Sequence, residues 1–98
     1  LYNNQISGVS SLESLVNLTT FNNQISDVRP LESLVNLTTL ELGSNQITSI
    51  DSLSNMDDLV YLYLYYNNIS DISALSGMIN LTTLYLYSNS ISDVSPLV

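Results

Sequence analysis

The chain has 98 residues, 45% of them apolar, and sets nine acidic groups against a single basic one, Arg29, for a net charge of -8. A surface this acidic repels phosphate backbones, which excludes nucleic acid as a partner. With neither cysteine nor histidine there is no disulfide, no thiolate metal site and no imidazole base, and apolar runs of a few residues fall far short of the roughly 20 that span a bilayer.

Apolar residues recur along the whole length, which predicts one array over 1–98 with one continuous core. Its period is explicit in the second half, where Leu37, Leu59 and Leu81 each open L-x-x-L-x-L-x-x-N-x-I, 22 residues apart. With Leu37 as position 1, the first unit enters at position 6 and supplies Asn4, Ile6, Val9, Leu12 and Leu15 at positions 9, 11, 14, 17 and 20. The second, 18–36, supplies Asn23, Ile25, Val28, Leu31 and Leu34. It is three residues short: alignment on Asn23 puts Leu18 at position 1 and Phe21 at position 7, leaving positions 4 to 6 empty. Either Phe21 slides inward to fill a contracted strand, or three residues are missing from the sequence, the reading preferred here.

The third unit, 37–58, supplies Asn45, Ile47, Ile50, Leu53 and Met56, and the fourth, 59–80, supplies Asn67, Ile69, Ile72, Leu75 and Met78. The fifth supplies Asn89, Ile91, Val94 and Leu97 and stops at position 18. About five repeats are thus expected, incomplete at both ends, so the chain reads as a fragment of a longer array. In the third, fourth and fifth units positions 3 to 7 alternate inward and outward residues, as in Tyr61-Leu-Tyr-Leu-Tyr65, which predicts a short strand. Positions 11 to 17 carry apolar residues three apart with Ser and Asp between, which predicts 3₁₀ turns. The fold class that follows is an α/β solenoid: short parallel strands on the concave face, 3₁₀ turns on the convex one.

In this register the chain resembles the internalins, leucine-rich-repeat proteins whose 22-residue repeats carry I-x-D-I-x-P-L after the asparagine. The matching runs are I-S-D-V-R-P-L at 25–31 and I-S-D-V-S-P-L at 91–97, with I-S-D-I-S-A-L at 69–75 a near match. Gly8 and Ser49 depart from the aspartate of Asp27, Asp71 and Asp93. The resemblance implies a bacterial cell-surface or secreted adhesin that grips a protein ligand in its concave sheet. The intracellular phosphatase-regulating leucine-rich proteins share the leucine spacing, but their turns are lysine-rich and this chain has no lysine.

Two groups of candidate residues stand out. The asparagines Asn4, Asn23, Asn45, Asn67 and Asn89 form a structural ladder, because each amide can pair with backbone groups that the turn would otherwise bury. The tyrosines Tyr61, Tyr63, Tyr65, Tyr66, Tyr85 and Tyr87 fall at or just after outward strand positions of two neighbouring units, with Tyr2 at the same kind of position in the first. With strands about 4.8 Å apart, Tyr63 should stand beside Tyr85, and Tyr65 beside Tyr87. Tyrosine combines contact area with a hydroxyl at low entropic cost, so the block, with Glu41 at its edge, is expected to bind a ligand.

Asp51, Asp57 and Asp58 lack the alternating spacing of a calcium loop. No metal, cofactor or catalytic constellation is expected, so the chain is not read as an enzyme. A protein ligand leads; a glycan reader using Thr39, Thr83, Glu41 and Ser88, and a purely structural solenoid, are the alternatives.

Overall fold

A computed structural model describes residues 17–19 and 25–97. Among them, four parallel strands form one sheet in chain order: β1 (Asn17–Thr19), β2 (Thr39–Glu41), β3 (Tyr61–Tyr63) and β4 (Thr83–Tyr85). The chain returns from strand to strand through 3₁₀ turns at Arg29–Leu31, Asp51–Leu53 and Ser73–Gly77, and a fourth, Ser95–Leu97, follows β4. Each strand lies beside the next at an offset of one repeat, Leu40 by Leu62 and Leu62 by Leu84. No described helix is long and apolar enough to cross a membrane.

The three-residue apolar spacing is the hydrogen-bond period of the turn side. The amide of Leu53 donates to the carbonyl of Ile50 at 2.9 Å, Met56 to Leu53 at 3.0 Å and Leu59 to Met56 at 3.4 Å. Apolar residues three apart therefore eclipse one another and all point inward. In the two middle coils Leu40, Leu42, Ile47, Leu53, Leu62 and Leu64 are wholly buried, while Val94 and Leu97 of the last are 60% and 45% exposed. Flank-to-flank stacking makes the core, and each side chain it covers contributes about 1.5–3 kcal/mol.

Two expectations are corrected. The strands cover only positions 3 to 5. Beyond them the carbonyl of Leu64 turns to the side-chain amide of Asn67 at 3.0 Å, although single backbone bonds between coils continue, as from Ser44 to Tyr65 at 2.9 Å and from Tyr66 to Tyr87 at 3.0 Å. The second correction concerns the short unit: β1 sets Leu18 beside Leu40, so in register Leu18 occupies position 4. Asn17 and Asn23 then stand at positions 3 and 9 of a full-length unit, and the three-residue shortfall falls before Asn17, outside the described residues. A strand that slipped its register would lose inward leucines and ladder bonds together, whereas a turn built in steps of three can drop one step. Phe21 and Tyr2, with Asn4 and Asn23, also lie outside the described residues.

Each described asparagine of position 9 joins two coils. The Asn67 Oδ1 accepts the amide of Ile47 in the preceding coil at 3.0 Å, and its Nδ2 donates to the carbonyls of Leu42, Leu64 and Tyr65 at 3.0, 3.0 and 3.2 Å. Asn89 repeats the set with Ile69, Leu64, Leu86 and Tyr87. Asn45 accepts from Ile25 and donates to Leu42 and Gly43. On the turn side, the carboxylates of Asp27, Asp71 and Asp93 each accept the amide two residues on, at 3.0, 2.9 and 2.9 Å, which sets the entry to each 3₁₀ turn. At Ser49 the hydroxyl takes that place, accepting from Asp51 at 3.4 Å.

Replacing Asn67 with Ala strands the buried amide of Ile47 and removes one of two donors from the carbonyls of Leu42, Leu64 and Tyr65, and is expected to cost about 1–3 kcal/mol in urea unfolding. Asn89→Ala, in the more exposed last coil, should cost less. The carboxylates carry a pH signature. The side chain and amide of Arg29 hold Asp27 down at about 2, and backbone bonding to Ser73 and Ser95 lowers Asp71 and Asp93. Such groups stabilise the fold above the ordinary carboxylate value of 3.8, and that contribution is lost as pH falls through their lowered values. Acid melts should therefore show stability declining between about pH 4 and 2, and Asp27→Asn should flatten part of that decline.

Candidate functional site

Because every coil repeats at the strand spacing, a residue at an outward position stands next to its counterpart one repeat away. Position 5 runs Glu41, Tyr63, Tyr85 across β2, β3 and β4. Position 7, just beyond the strands, runs Gly43, Tyr65, Tyr87. The rings of Tyr63 and Tyr85 meet edge to face with centroids 5.0 Å apart, and those of Tyr65 and Tyr87 stack 8° from parallel at 5.1 Å. Both separations match the distance between strands.

Tyr85 and Tyr87 connect the two columns at 6.1 Å. Tyr66 stands edge-on to Tyr65 and Tyr87 at 6.0 and 5.5 Å. Five rings thus form one contiguous surface, flanked by Tyr61, which sits between Thr39 and Thr83 at position 3. Tyr61, Tyr66, Tyr85 and Tyr87 are exposed, and Tyr63 and Tyr65 half-buried.

The edge of this surface is fixed by polar contacts. Glu41 accepts the Gly43 amide on Oε1 at 2.7 Å and the Tyr65 hydroxyl on Oε2 at 3.2 Å. Burial first, then the charge of Glu41 and its hydrogen bond, push the Tyr65 phenol above its ordinary value of 10.0. Gly43, absent from the candidates read in the sequence, is what lets Tyr65 lie down: a methyl on its α-carbon would collide with the Tyr65 ring. The legible signal was a single Gly in a column otherwise aromatic at Phe21, Tyr65 and Tyr87. Tyr66 is likewise more constrained than its position suggested. It is in the left-handed region at φ 53°, as are Ser44 at 58° and Ser88 at 59° at the same position. The turn into the asparagine requires that conformation in each of these three coils, and a non-glycine residue there costs roughly 1–2 kcal/mol.

Residues 21–55 and 57–98 match the family described as Leucine Rich repeats (2 copies). The chain belongs to the leucine-rich-repeat family. Within it the repeat is of the internalin type. Internalin C2 of Listeria monocytogenes is similar at 42% identity and TM-score 0.82, over 96% of this chain and 43% of its own. The internalin inlF of the same organism is similar at 37% and 0.81, over 98% and 32%. A leucine-rich-repeat protein of Leptospira interrogans is similar at 29% and 0.80, over 94% and 25%. The chain therefore spans less than half the length of each of these proteins. No curated protein matches it.

Two substitutions test how Tyr65 is held. Gly43→Ala should lift the Tyr65 ring off the sheet, weaken the near-ultraviolet tyrosine signal and bring the Tyr65 phenol down toward 10.0. Glu41→Gln should also lower it, by removing the charge. In the unaltered chain the raised phenol stabilises the fold below its unfolded value, and that contribution disappears as pH rises through the folded one. Alkaline titration of ring-labelled tyrosine reads both effects.

Proposed function

We propose that this array is a protein-binding module that holds its ligand on the tyrosine surface of the sheet, as part of a bacterial cell-surface or secreted protein. The observation that carries this reading is the unbroken set of five ring contacts from Tyr63 through Tyr85, Tyr87 and Tyr65 to Tyr66. Tyrosines whose only use was to cover the sheet would gain by burial, yet Tyr66, Tyr85 and Tyr87 stay 57%, 47% and 54% exposed. Rings fixed by stacking lose little entropy when a partner settles on them, which is the property that concentrates tyrosine in binding hot spots.

The likeness to internalins supports both the binding role and the surface setting. Binding rather than catalysis fits a face whose Glu41 already accepts the Gly43 amide and the Tyr65 hydroxyl. The same two bonds take up part of the hydrogen-bonding capacity of Glu41, the one carboxylate a glycan reader would have beside the rings, and such a reader ranks below a protein ligand.

Screening the chain over arrays of purified proteins and of glycans distinguishes the two. Protein hits that vanish in the Tyr63→Ala, Tyr85→Ala double variant, with circular dichroism and melting temperature close to unaltered, are the expected result. Hits confined to glycans, or protein capture indifferent to the double variant, would falsify this reading.

A further inference from the structure

The tyrosine surface has an electrostatic character that bears on what it binds. The face of an aromatic ring carries partial negative charge, and five rings are gathered in the two coils that follow the carboxylate of Glu41 in a chain of net charge -8. The chain's one cation cannot reach them. Arg29 is on the turn side, where its guanidinium Nε donates to both carboxylate oxygens of Asp27 at 2.9 and 3.1 Å and Nη2 donates at 2.8 Å. The attraction of the ring faces and of Glu41 for positive charge is therefore unmet within the molecule. Glu41 retains it, because its two bonds come from a neutral amide and a neutral hydroxyl.

Resting on the proposal that this face binds a protein, we infer that the partner presents arginine to it, laying a guanidinium on the exposed rings of Tyr85 and Tyr87 in the field of Glu41. Charge complementarity asks for a cation, and the form of the surface selects which. Tyr85 and Tyr87 are about half exposed, on an open face and not in an enclosed cage. A lysine ammonium, compact and strongly hydrated, would keep most of its water there. A guanidinium is planar and weakly hydrated and stacks on a ring, and two coils from Glu41 it is drawn by that charge without bonding to it. Since the chain has no second basic side chain, an incoming arginine displaces no internal lysine or arginine.

The test uses the full chain with ring-labelled tyrosine and three blocked glycine-spaced peptides that differ only in carrying arginine, lysine or citrulline, the uncharged analogue of arginine. The arginine peptide should shift the Tyr85 and Tyr87 ring resonances saturably, and its affinity should fall as salt rises. At about 2- to 5-fold per exposed ring contact, the citrulline peptide should bind roughly tenfold more weakly, with lysine in between. Tyr85→Leu with Tyr87→Leu should remove the preference for arginine over lysine.

Citrulline binding as tightly as arginine would overturn the inference. So would arginine and lysine binding alike, since that is bulk attraction to an acidic chain. Because the peptide ranking is read on the unaltered chain, the result does not depend on the leucine variant folding. If no peptide binds while capture of a protein still needs Tyr63 and Tyr85, the cation is wrong and the binding face stands. If captured proteins ignore those tyrosines, the binding face itself is wrong.

Discussion

The side-chain amide of the position 9 asparagine is the interaction on which the rest of this molecule depends. A coil of 22 residues must turn its backbone sharply at the end of each strand, and there the carbonyl of position 6 and an amide of the coil before would be buried without partners. Asn67 answers both needs at once, donating to Leu42, Leu64 and Tyr65 and accepting from Ile47. No apolar residue could do so, and an aspartate would supply the acceptor but lose the donors and bury a charge. The carbonyl of Leu64 is held by Asn67 and also by Asn89, at 3.0 and 2.9 Å, so neighbouring coils are fastened at a shared atom.

That fastening sets the separation of the coils, and the separation makes the tyrosine surface possible. Ring centroids at 5.0 and 5.1 Å are a by-product of strands held at their usual distance, so tyrosines at one position in adjacent repeats meet without further machinery. What the repeat does not supply is a flat first ring. That comes from Gly43, where the absent side chain leaves space for Tyr65 to lie across the neighbouring coil with Tyr87 stacked on it. Tyr66 then closes the group from a left-handed backbone that the asparagine turn imposes in the three coils where it is described.

The repeat unit, its inward columns and the pairing of Tyr63 with Tyr85 and of Tyr65 with Tyr87 were legible in the sequence, because in a solenoid one repeat length converts directly into a neighbour in space. The register of β1 was not. Along Val28, Leu31, Leu34, Leu37 and Leu40 the apolar residues fall every third place from turn to strand, and Val9, Leu12, Leu15 and Leu18 have the same spacing. A slip of three leaves that pattern unchanged, so apolar periodicity alone allowed Leu18 at position 1, while backbone pairing sets it at position 4. The cross-coil reach of the asparagines and the space over Gly43 were hidden for another reason: both are relations between a side chain and another coil's backbone, which no residue pattern within one repeat encodes.

The same stacking restricts where charge can go. A carboxylate repeated at one position would stand about 5 Å from its own copy, and such pairs repel. Among the described residues, acidic groups recur in only one column, position 13, where Asp27, Asp71 and Asp93 each accept a backbone amide, and even there Asp93 works against the lowering of Asp71. Serine interrupts that column at Ser49. The other acids of the described residues are distributed singly, and the outward strand positions there hold one carboxylate, Glu41, beside neutral rings. Tyrosine suits a stacked column for the opposite reason: its copies attract, edge to face or in parallel, where copies of a charge would not. A solenoid can therefore build an electronegative binding face out of ring faces more cheaply than out of carboxylates, and a single Glu at the rim is enough to give that face a direction.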